Sequence, residues 1–171
     1  MKKTLFSICI FIFFLTAANG QSGLITEFEQ KWTNAKAFTM ELARSMPAED
    51  YSYKPTEDQM NFTELMLHMV GNMNWLCSSY LGGEKIEYDL RKKDYNKEET
   101  LQILEKGFDL SLNAVKGLTP ELLEEKVDFF AGEMSKRQIL TLMNDHVTHH
   151  RGEAIIYARL NGVKPPKYRG W

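Results

Sequence analysis

Apolar residues along the chain fall into four stretches with the spacing of amphipathic helices. From about Leu24 to Met46, residues Ile25, Phe28, Trp32, Ala35, Phe38 and Leu42 recur three or four apart, and Pro47 ends the run. A second helix opens at Asn61, where Asn61-Phe62-Thr63-Glu64 has the form of a capping box, and closes near Gly82-Gly83. A third starts near Asn96, with Glu99 at its third helical position. It carries Leu101, Leu104, Phe108, Leu112 and Val115 up to Gly117. The fourth opens at Ser135, with Gln138 completing another capping box, and runs to Gly162. Between the third and fourth, "LTPELLEEKVDFFAGEM" reads as a longish irregular connection, and no stretch reads as a convincing strand. The expected fold is all-α, a four-helix bundle in residues 21–171.

The residues before the first helix change the expected compartment. Lys2 and Lys3 precede an apolar stretch, Leu5 to Leu15, and Ala18-Asn19-Gly20 supplies small residues for a cut between Gly20 and Gln21. This is the layout of a secretory signal peptide over residues 1–20, and it implies a periplasmic or extracellular protein. A retained N-terminal anchor is the other reading, although the stretch is shorter than the ~20 residues a span needs. Cleavage would remove two of the 21 basic residues and none of the 23 acidic ones, moving the formal charge from −2 to −4. Such a balance argues against nucleic acid and against an anionic membrane surface as partners. Of the two cysteines, only Cys77 follows the leader. No internal disulfide is then expected, and its apolar neighbours in "NWLCSSY" mark it as a core thiol.

Chemistry is concentrated in "NDHVTHHRGEAIIYARLNG", residues 144–162, which holds three of the four histidines. With ~100° per residue and Ile139 at zero, His146 falls at ~−20° and His150 at ~20°, inside the arc of Met143, Leu142, Tyr157 and Leu160. His149 lies at the edge of that arc. Asn144, Asp145, Thr148 and Arg151 occupy the polar side. Two inward imidazoles one turn apart can reach one metal ion. A hydrogen-bonded core pair remains open on spacing alone, although each ring brings two nitrogens that need partners. The fourth histidine, His68 in "FTELMLHMVGNMNWL", lies beside the apolar stripe of the second helix, so periodicity does not decide whether it faces the pair. If it does, three imidazoles with open positions are the pattern of a catalytic metal site.

Three stretches resemble the DinB-like family of metalloenzymes: "PTEDQMNFTELMLHMVGN", "FFAGEMSKRQIL" and "HVTHHRGEAIIYARLNGVKPP". The resemblance runs from about Leu24 to Pro166. It implies an up-down-down-up bundle, often a homodimer, with a divalent metal on His68, His146 and His150. Three-nitrogen sites accept zinc, nickel or ferrous iron. The leader sets this chain apart from cytoplasmic members, whose known activities use low-molecular-weight thiols. Such a centre can activate water for hydrolysis or hold a thiol for transfer, on a small-molecule substrate. A bundle that binds metal or a small ligand without turnover fits the same histidines. Glu153 stands three residues after His150, placed to orient its ring or accept a proton, and Asn72, one turn after His68, is a lesser candidate for a supporting role. Tyr157 is expected to pack rather than react.

Overall fold

The computed structural model describes residues 23–92 and 94–171 in full; the expected leader over residues 1–20 and its cut at Gly20-Gln21 lie outside them. Four helices form the bundle: α1 (Lys2–Ser45), α2 (Phe62–Tyr80), α3 (Lys97–Lys116) and α5 (Lys136–Leu160). A 3-10 turn (Ala48–Ser52) follows α1. A short helix α4 (Pro120–Glu124) and the strands β1 (Lys126–Phe129) and β2 (Gly132–Ser135) lie between α3 and α5.

The capping boxes expected at Asn61 and Ser135 form, and Asn96 makes a third with Glu99. Asn61, Asn96 and Ser135 each accept from the backbone of their third helical residue, and Glu64, Glu99 and Gln138 return the bond. Each satisfies two of the amide donors that a helix start leaves without partners.

Side-chain pairings give the helix directions. Lys97 at the start of α3 donates to the carbonyls of Arg44 and Met46 at the end of α1, while Trp32 meets Phe108 further along, so α1 and α3 are antiparallel. Gly107 lies against Val70, and Ala114 against Gly83 just beyond α2, so α2 and α3 run parallel. Phe62 meets Tyr157 and Cys77 meets Met143, which makes α2 and α5 antiparallel. Taken in chain order, the four run up, down, down, up.

The connection before α5 departs from the irregular segment expected, and the chain is correspondingly not purely helical. Thr119 caps α4 with Pro120 at the first helical position. β1 and β2 then pair antiparallel, from Lys126 opposite Ser135 to Phe129 opposite Gly132, whose φ of 114° suits glycine alone. The strands are four residues each and mostly exposed, so the alternation that betrays a half-buried strand is missing. What the hairpin buries is Phe129, packed on Trp75 and Tyr80 of α2.

Two positions on α5 also differ from the helical wheel. Leu160, expected on the buried face, is 58% exposed at the last position of the helix. Arg151, expected on the polar side, is buried, its guanidinium 5.2 Å from the Phe38 ring of α1. A bundle helix touches two neighbours, and the arc that looks polar from α2 faces α1. Cys77 is a core thiol, and burial pushes its pKa up to about 11, where it is no nucleophile at neutral pH.

Candidate metal centre

The capping box at Asn61 fixes where α2 begins, and the one at Ser135 does the same for α5. Antiparallel packing then brings residues 78 apart into contact. His68 Nε2 and His146 Nε2 lie 3.1 Å apart. Ring centroids are separated by 4.9 Å for His68 and His146, 4.6 Å for His68 and His150, and 4.4 Å for His146 and His150. One ligand atom from each of the three rings lies within 4.8 Å of the other two. His68 thus faces the α5 pair from the flank of its own helix and remains solvent-accessible, while His150 is nearly enclosed.

These donors suit a divalent ion. Two nitrogens bound at ~2.0–2.1 Å in tetrahedral geometry stand about 3.3 Å apart, near the observed 3.1 Å. Metal binding needs neutral imidazoles, and the surroundings favour that form at His146 and His68. Burial, followed by the neighbouring His150 and His68, pushes His146 down to about 4. Burial and His150 likewise lower His68.

Support from behind is uneven among the rings. His150 Nδ1 is 2.6 Å from Glu153 Oε2, so a carboxylate fixes the ring and its outward nitrogen carries the proton. His149 is exposed and reaches the other oxygen of Glu153 at 3.5 Å, outside the trio. His146 Nδ1 is buried with no hydrogen-bond partner, and so is Asn72 Oδ1. The antiparallel register set by Phe62–Tyr157 and Cys77–Met143 places Asn72 opposite residues 147–148, just beyond His146. Tyr157 packs between Tyr53 and Phe62, and its hydroxyl donates to the Met60 carbonyl at 2.9 Å.

A cleft of about 570 Å³ opens beside His68. Leu67 and Leu90 form apolar wall, and Lys54, Glu64, Arg91 and Lys92 are among its charged groups. Apart from Glu64 of the capping box and His68, sequence motifs did not point to the lining, because most of it lies in loops on either side of α2 that carry no periodic signal.

Comparison with known proteins places this geometry in context. The DinB family model matches residues 18–170. The uncharacterized protein YjoA of Bacillus subtilis is 28% identical over 128 residues, which span 72% of this chain and 82% of that one. The crystal structure of YjoA, a DinB-like protein, superimposes with a TM-score of 0.72 at 22% identity, covering 85% of this chain and 99% of the other. YfiT of Bacillus subtilis, described as a probable metal-dependent hydrolase with an unusual four-helix bundle topology, gives a TM-score of 0.65 at 15% identity over 82% and 89% of the two chains.

Proposed function

The chain belongs to the DinB family, and from that premise we propose that it is a metal-dependent enzyme whose ion sits on His68, His146 and His150. The observation that carries this reading is the convergence of three imidazoles from two helices, with His150 braced by Glu153. Three protein nitrogens leave coordination positions for water or substrate, which a structural site would close. The ion supplies Lewis acidity: it lowers the pKa of a bound water toward neutrality and polarises the group under attack. The protein's own part is to keep His68 and His146 unprotonated, to hold the His150 ring in one tautomer through Glu153, and to present the substrate in the adjoining cleft. Asn72 Oδ1, likewise buried without a partner about one position further along, is the acceptor proposed to take the His146 Nδ1 proton when the ion is bound.

Hydrolysis of a small molecule is the first reading, supported by the description of YfiT as a probable metal-dependent hydrolase. Thiol transfer is the second, since the same ion would stabilise a thiolate. We place the protein outside the cytoplasm on its N-terminal residues, as a homodimer that binds no nucleic acid. Low-molecular-weight thiols are scarce there, which favours water as the nucleophile. A panel of ester, amide and electrophile–thiol substrates assayed on zinc-, nickel- and iron-loaded protein tests the reading. Turnover that disappears in His146→Ala supports it. Binding of one ion with no turnover and no exchangeable ligand water in a cobalt-substituted form would leave a binding module instead.

A further inference from the structure

On the other face of α5, turned toward α1, lies a buried cation with nothing to pair it. Arg151 is 6% exposed. Its guanidinium takes the Phe38 ring on one side, and its buried Nη1 has no hydrogen-bond partner among the described residues. A guanidinium offers five N–H donors, and a ring face satisfies none of those directed along its edge. A buried charge left in that state is strongly unfavourable unless something supplies acceptors.

The surroundings indicate what that partner is. Arg151 lines a cleft of about 50 Å³ between α1, α5 and the C-terminal tail, several times the ~10–15 Å³ one water needs. Its other polar walls are Lys31, Asn144, Thr148, Tyr168 and Arg169, and none of the lining residues is acidic. The tail folds over the opening: Tyr168 packs edge-on against Phe38, Arg169 pairs with Glu41, and the Trp171 carbonyl accepts from Asn34. These side chains of the tail bring no acidic group to Arg151.

We propose that this cleft binds a small oxyanion, a phosphate, sulfate or carboxylate group, on the Arg151 guanidinium. Lys31, Asn144 and Thr148 border the same cleft with further donors. Arg pairs such groups through two parallel N–H bonds, which matches an unpaired guanidinium edge in a donor-rich, acid-free cleft. The site is separate from the histidine centre, because His146 and His150 face α2 while Arg151 faces α1. The tail that covers it would be held down more firmly when the anion is bound.

The test uses the full chain, titrated with inorganic phosphate, sulfate and succinate at constant ionic strength against chloride. Saturable binding with a rise in Tm for at least one oxyanion is expected, and which one responds distinguishes tetrahedral from carboxylate ligands. Arg151→Met keeps the length of the side chain and removes the charge. It should weaken binding by about tenfold or more, as loss of a charged hydrogen bond does, and without anion it should melt no lower than the parent. If Arg151→Met does not fold, Lys31→Met and Thr148→Val on the exposed rim should each weaken binding by roughly threefold or more. Binding retained in His146→Ala separates this site from the metal. No response beyond chloride, undiminished binding in the cleft variants, or binding that vanishes with His146→Ala would each overturn the proposal.

Discussion

At His150, Nδ1 is engaged by Glu153 at 2.6 Å, while the ring stands within reach of its two partner histidines. Removing such a partner ordinarily weakens metal affinity by about 10–100-fold. Glu153→Ala is expected to fall in that range by competition with a chelator, and Asn72→Leu nearer its lower end, with both proteins folded. His146 couples stability to protons. Its pKa is about 4 in the folded chain against ~6.5 when unfolded. Between those values the unfolded chain binds a proton that the folded one does not, so stability falls as pH falls across that window and is flat above it. The ring is only half-buried, and screening reduces the effect to about 1 kcal/mol. Urea unfolding of chelator-treated protein at pH 7.5, 5.5 and 4.5, compared with His146→Asn, should show a slope that is shallower in the variant, where the lowered His68 still contributes. The pair on α5 was legible in the sequence because i, i+4 spacing fixes a shared face. His68 was legible only through the family resemblance, because it stands at the flank of its helix and His146 lies 78 residues away.

Among the elements, the starts of the helices were the most legible part of the fold. A capping box is a contact between residues three apart, so Asn61, Asn96 and Ser135 reveal themselves without any tertiary context. The hairpin was hidden for the opposite reason. Its strands are short, and the residue that anchors it, Phe129, finds its partners Trp75 and Tyr80 on a distant helix. The parallel pair α2 and α3 depends on a close approach at Gly107, where an added Cβ would meet Val70 Cγ1 at 2.9 Å and Cγ2 at 3.1 Å. Val70 is β-branched and stiff, so it yields little. Gly107→Ala should therefore cost about 1–3 kcal/mol by overpacking, despite alanine's better helix propensity. Thermal denaturation would show this, with partial recovery in Gly107→Ala/Val70→Ala.

At the scale of the molecule, the three histidines bind α2 to α5, the one on the first half of the bundle and the other on the second. A metal that binds the folded chain alone adds about 2.7 kcal/mol at a free concentration 100 times Kd. For a protein of this size that amounts to roughly 5–10 °C in Tm. Arg151 belongs to this scale too: its burial follows from α1 and the C-terminal tail closing over α5, which no local pattern could announce. Among the described residues no helix is long and apolar enough to cross a membrane. The central claim is that one ion rests on His68, His146 and His150. Elemental analysis of the full chain purified without a chelating tag, together with His68→Ala and His146→Ala, tests it most directly. Close to one equivalent of divalent metal in the parent, lost in both variants, is the result expected. Less than a tenth of an equivalent, with no rise in Tm on adding zinc or nickel, would contradict it, as would a His68→Ala protein that keeps its metal.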